Sequence, residues 1–359
     1  MTAIVAPTTD SFMYQTMHRQ PADLRHLLET GWGAAEEAAD LMAGCRRIWM
    51  TGVGTSYHAS LIGAWLFRAA GLDSRAVLSA DIALYPDSFA IDGADAVIIM
   101  AHTGVKSVSA VALERATAAG ATVLSVGSTT AEHPGSRLVL RTIEREKSAA
   151  YTSSHLAAQF VLAQVAAVLM ERGGIGGGFR AALERIPDIV EGVLHRQDEV
   201  LAISSSAIKR RIYAAGAGPS EVAAIEAVIK VREAAYGWID ALALEQFLHG
   251  PAVAVNAGDL AILVNPPGAA SERTGEIAAM LAAIGADVWL VGDGSTHVPD
   301  AALFAIPDLA GLPEVLTPLV TVVPLQILAY QMAAAQGINP DTFRRDNPVY
   351  KEAIGLLKL

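Results

Sequence analysis

Residues 47–57 read Arg47-Ile-Trp-Met-Thr-Gly52-Val-Gly54-Thr55-Ser56-Tyr57, and residues 211–221 read Arg211-Ile-Tyr-Ala-Ala-Gly216-Ala-Gly218-Pro219-Ser220-Glu221. Each stretch is a short apolar run, a Gly-x-Gly turn, a small hydroxyl residue and then a helix-length segment. The second copy begins 164 positions after the first, about one domain length. Working outward from the first copy, strands are expected at 76–80, 96–101, 122–126 and 138–142. Helices are expected at 31–46, 57–70, 108–119 and 148–171. Outward from the second copy, strands are expected at 260–264, 288–291 and 303–306, with a helix over 221–236. Short β-branched runs alternating with helices of ten or more residues mark a parallel sheet covered on both faces. The expected fold is α/β, with two doubly wound, flavodoxin-like domains in tandem. Gly173-Gly174-Ile-Gly-Gly-Gly178 is the best linker candidate. The expected organisation is an N-terminal arm or short leading helix (1–30), a first domain (31–172), a linker helix region (173–200), a second domain (201–337) and a tail (338–359).

The chain has 359 residues, a formal net charge of −11 and 52% hydrophobic residues. It is too apolar for a disordered chain, and its acidic balance argues against a nucleic-acid partner. A single cysteine, Cys45, excludes a disulfide framework and a zinc site built on paired cysteines. It fits a reducing cytoplasm. The first residues lack the basic and apolar regions of a signal peptide. Leu316–Ala335 has no charged residue and is long enough to span a bilayer. Its Pro318, Pro324, Gln326 and Gln331 and the surrounding α/β pattern make it a buried helix instead, so no membrane partner is expected.

In a doubly wound sheet, ligands bind at the carboxyl ends of the strands near the switch in strand order. The turn Gly52–Ser56 fails as a dinucleotide fingerprint, because Tyr57 and Glu221 stand where a third glycine is needed. Thr55 and Ser56 place hydroxyls at a helix N-terminus, which favours an anion such as phosphate; the alternative is that they only cap the helix. The next turn, His102-Thr103-Gly-Val-Lys106-Ser107, has the same architecture and adds a cation. Two such turns at successive strand ends can converge on one phosphate. No P-loop motif is present, and no cofactor or metal is expected. In the second half, Glu226, Lys230 and Glu233 are spaced i, i+4 and i+7 and share a helical face. They read either as a surface ion-pair ladder or as chemistry. His249-Gly250-Pro251 follows in a turn.

The segment Glu226-Ala-Val-Ile-Lys230-Val-Arg-Glu233-Ala-Ala-Tyr236 with Glu245-Gln-Phe-Leu-His249-Gly-Pro251 resembles the isomerase half of glucosamine-6-phosphate synthase, a sugar-isomerase (SIS) domain family. So do Gly52–Tyr57, Glu146 with the helix after it, and 329–341. The resemblance covers about residues 12–359. It implies a homodimer with a shared active site acting on a sugar phosphate. Ser56 and the turn His102–Ser107 would hold the phosphate, with Thr55, Thr152 and Ser153 beside it. Glu233 would shuttle a proton between C1 and C2, assisted by Lys230. His249 would open the sugar ring, reaching across from the partner subunit. An enediol or enolamine needs one carboxylate serving both carbons, and a histidine can take and give the ring-opening proton.

The chain departs from the synthase pattern in four places. No glutaminase domain is matched, and Cys45 cannot replace its catalytic cysteine. The phosphate turn reads His-Thr-Gly-Val-Lys-Ser against Ser-Gln-Ser-Gly-Glu-Thr. Residues 151–154 lack Ser-Thr-Lys. The longer tail, Phe343-Arg-Arg-Asp-Asn-Pro-Val-Tyr-Lys351, offers Lys351 as the lysine that forms a Schiff base with the open ketose. Two classes of function follow: a phosphosugar isomerase, aminating isomerase or deaminase, and a non-catalytic sugar-phosphate sensor. About 30 residues precede the first domain, too few for the DNA-binding module such sensors carry.

Overall fold

A computed structural model describes residues 10–357. The chain divides into two compact units, one around each Gly-x-Gly copy. The first-sheet unit takes residues 19–146, 151–185 and 344–357; the second-sheet unit takes 10–18, 147–150 and 186–343.

In chain order, the elements of the first half are α1 (Phe12–Thr30), α2 (Trp32–Leu41), β1 (Arg47–Gly52), α3 (Thr55–Ala69), β2 (Ser74–Leu78), α4 (Ser79–Leu84), β3 (Asp95–Met100), α5 (Ser107–Ala118), β4 (Thr122–Gly127), β5 (Leu138–Arg141), α6 (Ser153–Arg172) and α7 (Phe179–His195). The first sheet is wholly parallel, with strand order β2-β1-β3-β4-β5. That is the flavodoxin-like order, whose switch point lies between β1 and β3. Every residue of β3 is buried, as a strand covered on both faces requires. At its start the Asp95 carboxylate accepts from Arg47 (2.8 Å), Arg46 (3.1 Å) and the Trp49 indole (3.2 Å), tying the amino ends of β1 and β3 together.

The second half runs α8 (Leu201–Ala207), β6 (Ile212–Gly216), α9 (Ser220–Ala235), β7 (Ile239–Ala243), α10 (Leu244–Leu248), β8 (Leu260–Asn265), α11 (Ser271–Ile284), β9 (Asp287–Gly292), β10 (Ala302–Ala305), α12 (Pro318–Ala335) and α13 (Pro348–Gly355), the last packing in the first-sheet unit. Its sheet is also parallel, in the order β10-β9-β8-β6-β7. Read from β7, this is the first sheet's order again. The sequence reading missed β7. It is an edge strand in which only Ile239 is fully buried, so it lacks the continuous apolar run that marks a central strand.

The two turns explain their glycines. A Cβ on Gly52 would stand 2.6 Å from the Ser56 carbonyl carbon, and one on Gly216 would stand 2.4 Å from the Ser220 oxygen. Gly54 and Gly218 both adopt φ +55°, a conformation costly for other residues. The repeat is therefore one of backbone geometry as well as sequence.

The charge-free segment forms α12, buried from Pro318 to Ala333 and packed on α9 within the second-sheet unit. Its Gln331 side chain is satisfied internally: it accepts from Ser204 and donates to the Gln197 carbonyl, both at 2.8 Å. α6 is equally long and apolar, and 89% of its apolar window is buried.

Candidate active site

In the second-sheet unit, α9 carries Glu226, Lys230 and Glu233 on one face, and α12 covers that helix. The face is interior. Lys230 is 1% exposed and Glu226 0%, which overturns the surface-ladder reading. The Lys230 ammonium donates to Glu233 Oε2 at 2.7 Å and stands 3.5 Å from Glu226 Oε1. A buried cation needs such partners, because burying a charge alone is very costly. Only Glu233 keeps a solvent-facing edge, with 25% of its side chain exposed. The three groups thus have unequal access: two are sealed, and one carboxylate is held by a charge-assisted bond at the surface.

His249 ends α10, where Gly250 turns the chain at φ +135°. Its side chain is 75% exposed, and its Nε2 lies 3.3 Å from Glu245 Oε2. Glu245 is its single polar partner among the described residues, so it is not bonded to Lys230 or Glu233. The Arg273 guanidinium, 2.6 Å away, holds the Glu245 carboxyl below the usual range. Lys351 is exposed on α13. The Asn347 side chain caps that helix by accepting the Val349 N–H at 3.0 Å.

The first-sheet unit has a cavity at the carboxyl ends of its strands. Thr55 and Ser56 line it after β1, His102 after β3, Thr142 after β5, and Tyr151, Ser154 and His155 at the start of α6. It is partly open to solvent rather than enclosed. Of the residues expected at a phosphate site, the structure brings Thr55, Ser56 and His102 to this cavity. Thr103, Lys106 and Ser107 do not line it; Lys106 and Ser107 are exposed, and Ser107 opens α5 at φ +48°. Thr152 and Ser153 are engaged elsewhere. The Thr152 N–H donates to Glu146 at 3.1 Å, and the Ser153 hydroxyl donates to Asp23 at 2.6 Å.

Sequence reading missed Thr142, Tyr151, Ser154 and His155. The last three, with Ala158, follow i, i+3, i+4 and i+7 spacing, so the helical period held the signal. Glu146 plays a different part. Its buried carboxylate accepts the N–H groups of Thr152 and Ser154, the latter at 2.6 Å. It occupies the start of α6 as a bound anion would and delays the helix to Ser153, five residues past the expected start. Burial and the charge of Arg145 push His102 down to about 4. The edge of its ring contacts Tyr151, with centroids 5.3 Å apart. Its Nε2 is buried and has no hydrogen-bond partner among the described residues.

Among the described residues, no group of three or more His, Cys, Asp or Glu is placed to hold a metal.

A family model for the SIS domain matches residues 41–169. The chain is 26% identical over 342 residues to a glutamine–fructose-6-phosphate aminotransferase (isomerizing) of Pyrococcus horikoshii, covering 92% of this chain and 56% of that protein. It thus spans about half the length of that relative. Its fold is that of the C-terminal domain of glucosamine-fructose-6-phosphate aminotransferase from Francisella tularensis (TM-score 0.85, 18% identity, 92% of this chain and 98% of that one). It is also that of a tagatose-6-phosphate ketose/aldose isomerase from Escherichia coli (TM-score 0.78, 20% identity, 96% and 98%). The stretch that matches the SIS-domain model, residues 41–169, holds the whole of the first of the two parallel sheets.

Proposed function

We propose that the protein is a phosphosugar isomerase that interconverts the aldose and ketose forms of a hexose or aminohexose 6-phosphate through an enediol or enolamine. The observation that carries this reading is the unequal exposure on α9: one carboxylate at the surface, anchored by a buried lysine that a second, sealed carboxylate neutralises. Glu233 removes the proton from C2 of the open-chain sugar and returns it to C1, while a hydroxyl proton passes from O2 to O1. A single carboxylate serving both carbons suffices. Lys230 holds Glu233 in place through its 2.7 Å bond. Its own burial bars it from the sugar, so it acts as a positioning residue.

Within the first-sheet unit, the cavity lined by Thr55, Ser56 and His102 is the anion-binding candidate. His249 opens the ring. Its exposure, away from the α9 carboxylates' hydrogen bonds, suits a residue lent to the site of a partner subunit, so the active form is a homodimer. Lys351, exposed near the C-terminus, would form a Schiff base with the open ketose. The relative's name describes amination of fructose 6-phosphate, and a cytoplasmic enzyme that aminates this sugar, or releases ammonia from glucosamine 6-phosphate, is the finer reading. The test is a panel in deuterated water: fructose 6-phosphate with and without ammonium, glucosamine 6-phosphate and fructosamine phosphates. Deuterium entering C1 or C2 of one of them supports the reading. Tight binding with no exchange in any of them supports the sensor instead.

A further inference from the structure

We propose that His102 is a proton-coupled anion receptor: as a sugar phosphate docks in the first-sheet cavity, its imidazole takes up a proton and, with Arg145, pairs with the phosphate. The inference rests on the phosphosugar reading and adds how that site recognises charge. His102 stands at the carboxyl end of β3, beside the switch point, and shares the cavity lining with Thr55 and Ser56. A buried ring nitrogen without a partner is an unmet cost in the empty protein, relieved when a ligand oxygen arrives. Arg145, exposed on the loop before α6, makes no ion pair or hydrogen bond among the described residues. It is close enough for its charge to act on His102.

The charges around the ring set the sign. Arg145 disfavours protonation, as does burial, so the empty site holds a neutral imidazole at pH 7. Tyr151 and His155 face the same cavity, and Lys106 lies exposed on the ring's own turn. The loop's buried carboxylate, Glu146, is turned to the start of α6. A phosphate brings a charge of roughly −1.5 to −2 and reverses the balance. Lifting His102 from about 4 to above 7 means that the protonated form binds the anion about a thousandfold more tightly than the neutral form. Affinity should then rise about ten- to a hundredfold between pH 8 and pH 6.

The test is calorimetric titration with fructose 6-phosphate, and separately with inorganic sulfate, in buffers of different ionisation heat at pH 6.5. Sulfate does not titrate in this range, so its proton uptake reports the protein alone. The expected result is uptake of about half to one proton per anion by the wild type, and none by His102→Ser or His102→Asn, two variants that allow for one failing to fold. Arg145→Gln should weaken both ligands. Binding of either ligand without uptake, or uptake that persists in both His102 variants, overturns the inference and leaves the phosphosugar reading intact. Sulfate binding with uptake but no sugar-phosphate binding upholds the receptor and removes the sugar. No binding of either ligand overturns both.

Discussion

Replacing Lys230 with methionine tests whether the interior of α9 is built as an ion triad. Lys230 Nζ stands 2.7 Å from Glu233 and 3.5 Å from Glu226, and neither Lys230 nor Glu226 reaches solvent. Lys230→Met keeps most of the volume but strips Glu226 of its cation. Removing one partner of a buried pair costs about 3–5 kcal/mol, because the other charge stays in the interior. For a unit of this size each kcal/mol moves the unfolding temperature by about 2–4 °C, so a drop of about 6–20 °C is expected. Pairing the change with Glu226→Leu removes the stranded carboxylate and should recover most of the loss, since buried pairs are often replaceable by apolar groups. The assay is thermal unfolding followed by hydrogen exchange on peptides from α9 and α12, which reads this unit separately from the first-sheet one. A single variant within about 2 °C of wild type, less than 1 kcal/mol of change, would refute the triad. So would a double variant as unstable as the single.

Ser56→Ala should weaken phosphosugar binding by about 0.5–1.5 kcal/mol, or more where the phosphate charge strengthens the bond, measured by titration calorimetry. His249→Ala should slow turnover of cyclic substrates more than of acyclic analogues; equal loss on both would remove it from ring opening. Borohydride added during turnover should trap the ketose on Lys351, read by peptide mass, and Lys351→Arg should abolish the adduct. Burial first, and the nearby charges of Arg145 and Arg141 second, hold His102 and His133 down to about 4. Their neutral forms favour the fold, so this stability is complete above about pH 6.5 and is lost as pH falls toward 4. Thermal unfolding of the first-sheet unit should fall across that window, and less so in His102→Asn/His133→Asn.

The tandem fold was legible because it rests on backbone requirements that only particular residues meet. Gly52 and Gly216 admit no Cβ, and Gly54 and Gly218 take a left-handed turn, so the repeat announces both switch points. The edge strand β7 was not legible, since its neighbours demand little of its side chains. The helical face of Glu226, Lys230 and Glu233 could be read from spacing, but not its burial. That depends on α12, nearly a hundred residues away in sequence. The cavity was half legible. Thr55, Ser56 and His102 follow strands directly, and strand ends point to a ligand. At α6 the expected hydroxyls were one residue out of phase: Glu146 captures the start of the helix, Ser153 donates to Asp23, and Tyr151, Ser154 and His155 line the cavity.

The central claim is that Glu233 carries the proton between C1 and C2, and solvent deuterium exchange in Glu233→Gln measures this most directly. The amide keeps the shape of the side chain and its reach to Lys230 but cannot act as a base. Incubated with the substrate that the wild type exchanges, Glu233→Gln should incorporate deuterium about 10²–10⁴-fold more slowly while binding the sugar phosphate as before. Exchange at the wild-type rate in Glu233→Gln would contradict the account, place the base elsewhere and leave the α9 triad a purely structural device.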